Sequence, residues 1–269
     1  MKLIMLGTGH ATVTKCCNTC FALQDQERPK EYFLVDGSGG NAILKQLQLA
    51  GIDWKDIRTI FVTHKHLDHL TGIIWLIRMV GASMSQGQYT GALTIYAHDE
   101  LIAIIKSISQ MLLQDKELFF LEKRIILETV YDHECKTILG KQVSFFDIHS
   151  TKAKQYGFCM DLGDGRKLTC LGDEPCSRQT LQYVDHSDWL LHEAFCLHAQ
   201  ADKFKPYEKH HSTVKDACET AQAMHVKNLI LYHTEDSSLQ SRKQAYLSEG
   251  RDYYRGNLFV PDDLEVIEL

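Results

Sequence analysis

Proline is scarce in this chain of 269 residues: four stand apart at positions 29, 175, 206 and 261, and no Pro/Gly/Ser-rich stretch links two segments. A string of hinged modules is disfavoured, and one domain over residues 1–269 is the simplest expectation. No apolar run approaches the roughly 20 residues of a membrane span. The opening Met1-Lys-Leu-Ile-Met-Leu-Gly-Thr-Gly9 turns to glycine too soon for a signal peptide. Basic side chains are outnumbered, 29 against 35 acidic, for a net charge of −6. That balance argues against broad attraction to nucleic acid or anionic membrane and leaves room for a local basic patch. Fixed-period repeats and low-complexity runs are also missing. Nine cysteines with no export signal point to reduced thiols in a cytoplasmic protein, without a structural disulfide.

What is present is an ordinary globular composition, 44% hydrophobic and 24% charged, enough for a sizeable core. The first half reads as strands at 2–6, near 20–23 and at 32–36, a helix over 41–50 stopped by Gly51, and a strand at 57–62. Helices at about 70–80 and 98–114 flank a strand at 93–97, and β-rich segments fill 125–171. Alternation then returns, with strands at 189–191 and 229–232 and helices at 213–224 and 238–247. The expectation is an α/β fold of two packed sheets with helices outside. Its chemistry should collect on loops at one sheet edge.

The most informative stretch is Val62-Thr-His-Lys-His-Leu-Asp-His-Leu-Thr-Gly72. His64, His66, Asp68 and His69 are four good metal ligands within six residues, between the apolar run Ile60-Phe61-Val62 and the apolar Ile73 to Ile77. A buried strand becoming a helix can aim several side chains at one spot. Imidazole nitrogens and carboxylate oxygens suit Zn, Mn or Fe. His64 and His66, two apart, share a face of an extended strand end; Asp68 and His69 follow the turn and can serve a second ion.

His64-Lys-His66-Leu-Asp68-His69 resembles the metal-binding signature of the metallo-β-lactamase superfamily. Leu6-Gly-Thr-Gly9 with Asn18-Thr19 resembles the opening of its ribonuclease Z-like branch. The remaining motifs recur in order over most of the chain: His149 after the strand Val143 to Ile148, Asp173 in Leu171-Gly-Asp173, and His233 closing Leu229-Ile-Leu-Tyr-His233. The resemblance implies a four-layer αββα sandwich and two divalent transition-metal ions, Zn foremost with Mn or Fe as alternatives. It assigns one ion to His64, His66 and His149, a second to Asp68, His69 and His233, and a bridging position to Asp173. Leu190-Leu-His192-Glu193-Ala-Phe195 and His210-His211-Ser212-Thr213 resemble that branch's coupled glutamate and histidine. Glu193 would then orient and charge His211, which assists the leaving group, while Asp68 doubles as a general base.

Such a centre is a hydrolase, most naturally a phosphodiesterase. A lactone or thioester hydrolase, or a binding protein that keeps the metals without turnover, are the competing expectations. Transfer RNA processing enzymes of the ribonuclease Z type carry a glycine- and lysine-rich arm between the third histidine and the bridging aspartate. Here residues 150–172 hold only a hairpin with Gly163-Asp-Gly165 at its tip. The implied substrate is therefore a small phosphodiester or short RNA end, and no membrane is expected as a partner. Family members are commonly dimeric, and Ile104 to Lys123 could supply a lid or homodimer face. The Cys16, Cys17 and Cys20 group lacks a partnering CxxC and reads as plain thiols. His133, His186, His192, His198, His210 and His225 read as surface or packing residues, with His10 the least certain.

Overall fold

The computed structural model describes residues Met1–Leu269, which divide into two compact units. The first unit comprises Met1–Gly7, Cys17–Tyr131 and Leu264–Leu269. Its elements are β1 (Lys2–Gly7), β2 (Cys20–Gln24), β3 (Tyr32–Val35), α1 (Ala42–Leu49), β4 (Ile57–Phe61), α2 (Leu67–Ser85), β5 (Leu93–Ala97), α3 (Asp99–Leu112), the single turn α4 (Asp115–Leu118) and β6 (Ile125–Thr129). A C-terminal strand, Val266–Glu268, pairs antiparallel with β1, and the sheet continues β2-β3-β4-β5-β6. Pairing is antiparallel as far as β3 and parallel beyond it. Parallel pairs need crossover connections, which explains why α1, α2 and α3 lie between these strands in sequence. Leu6, Ala22, Leu34, Ile60, Ile73, Ile77 and Ile95 belong to one buried cluster.

The second unit comprises Thr8–Cys16 and Asp132–Asp263. Its elements are β7 (Cys135–Ile138), β8 (Lys141–Asp147), β9 (Tyr156–Gly163), β10 (Arg166–Cys170), the single turn α5 (Leu181–Val184), β11 (Trp189–Glu193), the single turn α6 (Ala201–Phe204), α7 (Val214–Ala223), β12 (Asn228–Tyr232), α8 (Leu239–Tyr253) and β13 (Asn257–Phe259). The seven strands run in order β13-β12-β11-β10-β9-β8-β7. Pairs from β10 to β13 are parallel and those from β7 to β10 antiparallel. The β9–β10 hairpin occupies the short segment ahead of Asp173, as its glycine tip predicts. Leu190, Leu229, Leu231, Ala217 and Tyr246 share this unit's core.

The expected elements are present with shifted ends. The helix after the histidine cluster starts at Leu67, earlier than about 70, because His66 takes an extended N-cap conformation and Asp68 occupies the first turn, where a negative charge suits the helix dipole. A capping box between Thr213 and Asp216 opens α7. The strands at 257–259 and 266–268 are too short for alternation to register in sequence. All nine cysteines are free thiols, Cys16 and Cys17 partly buried and Cys20 buried. No helix is long and apolar enough to cross a membrane.

Candidate metal centre

In the first unit the four ligand candidates sit on one turn, from the end of β4 into α2. A Cβ on Gly72 would collide with the Gly37 carbonyl oxygen, so the missing side chain lets α2 lie close against the turn after β3. That turn carries Asp36, a buried residue with φ 60°. Its carboxylate accepts from the Thr63 N–H at 2.8 Å and the Thr63 hydroxyl at 2.9 Å, and contacts His69 Nδ1 at 2.7 Å. Since the Thr63 hydroxyl donates to Asp36, its oxygen accepts from His64 Nδ1 at 2.9 Å. This fixes the His64 tautomer with Nε2 unprotonated, and Nε2 is hydrogen-bonded to His66 Nδ1 at 2.9 Å. The His64 and His69 rings are 4.1 Å apart, and His69 Nε2 is 3.3 Å from Asp68 Oδ2. Burial pulls the His69 pKa down, but the Asp36 and Asp68 carboxylates outweigh it and hold it well above the ordinary imidazole value. Carboxylates that hold a proton so firmly would also favour a divalent cation.

In the second unit the candidates come from separate strand ends. Asp173 follows Gly172, whose φ of 63° and whose neighbour, Gln155 Nε2 at 2.5 Å from a built Cβ, require glycine. The Asp173 carboxylate accepts from Gln155 Nε2 at 2.6 Å and lies 3.5 Å from His233 Nε2. His233 closes β12 at φ 57°. Glu193, fully buried at the end of β11, accepts from the Ser212 N–H and lies 3.6 Å from His211 Nδ1. Neither Glu193 Oε2 nor His211 Nδ1 has a hydrogen-bond partner, so the pair sits just beyond bonding distance. The His211 ring stacks on Phe195, centroids 5.0 Å apart at 14°. Asp173, His211 and His233 present ligand atoms within 4.8 Å of one another. His149 stands outside that group: at φ 60° and half exposed, it lines a cavity of about 340 Å³ with Ser150, Thr151, Glu174, Tyr207 and His211. Burial raises the Glu174 pKa against the opposing Ser150 hydroxyl and Lys152.

Residues 1–249 match the family model described as anti-Pycsar protein Apyc1. The chain belongs to the Apyc1 family. The curated relatives matched include ribonuclease Z of Bacillus subtilis, 27% identical with 99% of this chain and 98% of that protein covered. Among solved structures, the metallo-β-lactamase-fold protein YhfI of Bacillus subtilis aligns with a TM-score of 0.78 at 16% identity, covering 99% and 98% of the two chains. Human tRNase Z, short form, aligns with a TM-score of 0.74 at 21% identity, covering 100% and 99%. This Apyc1-family member is thus a ribonuclease Z-like, metal-dependent hydrolase of the metallo-β-lactamase fold, as its motifs led us to expect.

Two residues of this Apyc1-family chain that sequence reading passed over hold the candidates in place. Asp36 reads as the last residue of a strand; a carboxylate directly after the apolar run Tyr32-Phe33-Leu34-Val35 was the available signal. Arg242 reads as one more charge on a polar helix, yet it is 1% exposed. Its guanidinium donates to Thr8 Oγ1 at 3.0 Å, Thr234 Oγ1 at 2.8 Å, the Pro261 carbonyl and Asp262, both at 2.9 Å. Thr234 N–H donates in turn to the Thr8 carbonyl. The residue after His233 is therefore tied to the Gly-Thr-Gly turn, which gives that opening motif a physical purpose. His10, on the same turn, packs against Phe195 and His233 with centroids at 4.5 and 6.4 Å.

Proposed function

We propose that the chain hydrolyses a small phosphodiester or short RNA end with two divalent transition-metal ions, zinc foremost and Mn or Fe as alternatives. His64, His66 and His149 would hold one ion, Asp68, His69 and His233 the other, and Asp173 would bridge them, the two units serving as a single hydrolase domain. The donor set fits: it offers imidazoles and carboxylates, with the His64 tautomer fixed by Thr63 and Asp36. Two ions bound by these residues would supply a water of lowered pKa and Lewis acidity toward a phosphoryl group. The chain's own groups do the rest. Glu193, 3.6 Å from His211 Nδ1, orients the imidazole, so that His211 can give a proton to the departing alkoxide. Asp68 has a second role in accepting the proton of the attacking water. Phe195, stacked on His211, restricts the ring's rotation.

The observation that carries this reading is the pairing of buried Glu193 with the partly buried His211 beside Asp173 and His233. A carboxylate-coupled acid serves a poor alkoxide leaving group. The short β9–β10 hairpin, where tRNA-processing relatives place an arm, supports a small substrate over a folded tRNA. Met111, Leu112 and Phe119, all more than half exposed, are consistent with a homodimer face. A panel of bis(p-nitrophenyl) phosphate, a cyclic mononucleotide, a precursor tRNA, a lactone and a thioester tests the substrate class. The diesters should turn over fastest and the precursor tRNA poorly. Preference for the lactone or thioester overturns the phosphodiesterase reading, and no turnover of any of them favours a metal-retaining binding protein.

A further inference from the structure

Two helices of the second unit end beside each other at another group of metal-ligating side chains. α5 stops at Val184 and α7 at Ala223; Asp185, His186 and His225 lie just past these ends. The His186 N–H donates to the Met224 carbonyl at 2.8 Å, so a main-chain hydrogen bond joins the two ends. His186 Nδ1 lies 2.7 Å from Asp185 Oδ1, and His225 Nδ1 lies 3.9 Å from the same oxygen. The two imidazoles are stacked, 4.9 Å between centroids and 25° between planes. The three donor atoms fall within 4.8 Å of one another, and all three residues are exposed.

We infer that Asp185, His186 and His225 form a further divalent transition-metal site, separate from the ligand set of the proposed reaction. A tetrahedral ion bonded at about 2.0–2.1 Å spaces its donors roughly 3.4 Å apart, and the observed 2.7 and 3.9 Å straddle that spacing. Small side-chain rotations therefore suffice, with no backbone movement. The electrostatics have the same sign: the Asp185 carboxylate faces both imidazoles, and the C-terminal end of the ten-residue helix α7 adds its negative dipole end beside His225. The backbone adds a third point. His186 and His225 sit at φ 54° and 53°, the left-handed region just past a helix end where glycine is the ordinary residue. Imidazoles occupy both positions in place of the less strained choice.

One carboxylate and two imidazoles select Cu²⁺, Ni²⁺ or Zn²⁺ over Mg²⁺ and Ca²⁺. Three protein ligands leave a fourth position for water or for a side chain of another molecule. The full-length protein, first loaded with Zn²⁺ and gel-filtered, is titrated calorimetrically with Zn²⁺ beside the double variant H186G/H225G. Glycine keeps the left-handed backbone, so the fold should survive. Wild type should take up one more equivalent than the double variant, and D185N should bind that equivalent more weakly. Equal uptake by wild type and double variant overturns the site. Should the double variant not fold, Zn²⁺-induced shifts of the His186 and His225 imidazole nitrogens in wild type decide instead: their presence supports the site and their absence overturns it.

Discussion

The two units solve the same problem of aiming imidazoles in opposite ways. In the first, four candidates lie within six residues on one strand-to-helix turn, and a single buried carboxylate, Asp36, anchors two of them. In the second, candidates arrive from the ends of β8, β10, β11 and β12, and no one residue holds them. Their turns rely instead on unusual backbone, with positive φ at His149, Gly172 and His233. A local cluster can be stabilised by one hub; a dispersed one needs each loop fixed separately, by Gln155 at Asp173 and by Arg242 near His233.

The largest expected effect breaks the hub. Asp36→Ala leaves Thr63 and His69 without their buried acceptor, so we expect a loss of roughly 3 kcal/mol in metal-free stability by denaturant unfolding. Metal affinity should fall at least about tenfold in a chelator competition. Unchanged affinity would show that the first unit needs no hub. Next, His211→Ala should slow phosphodiester turnover by at least about 100-fold while elemental analysis shows unaltered metal content; a full rate removes His211 from the mechanism. Arg242→Met removes three buried hydrogen bonds and a fourth, partly buried one to Asp262, and should cost about 2 kcal/mol. Because it unpins the loop after His233, metal affinity should fall as well, and a purely stability effect would mean that His233 is held by other contacts.

The smallest effect separates the units by pH. Burial, partly opposed by Glu193, lowers the His192 pKa below its ordinary 6.5. A group depressed on folding contributes stability that is complete above the unfolded pKa and is lost as pH falls from there through the folded value. Stability should therefore decline below about pH 6.5 in the wild type, and His192→Leu should flatten that decline in a pH series of urea titrations. An unchanged slope would assign the acid limb to other groups.

These contrasts also explain what the sequence reveals. The His64–His69 cluster is legible because all its ligands are neighbours and the apolar runs on either side place the turn. His149, Asp173 and His233 each look like any strand-end residue, and only their order within a motif set distinguishes them. Glu193 and His211 likewise come from motif resemblance, since the 3.6 Å approach joins residues eighteen positions apart. Asp36 and Arg242 escape both routes: their roles depend on burial and on partners far along the chain, which neither periodicity nor spacing encodes. The alternation of the longer strands and helices is readable, and the misses fall on three-residue strands and on the single-turn helices α4, α5 and α6.

Metal-dependent turnover with two ions is the central proposal, and metal content followed against phosphodiester turnover during stepwise chelation tests it most directly. Two tightly held transition-metal ions per chain are expected after expression in supplemented medium, with turnover of bis(p-nitrophenyl) phosphate lost as they are removed and restored when Zn²⁺ is returned. Protein that carries no such metal, or that keeps its full rate without it, would rule out a metal-dependent phosphodiesterase.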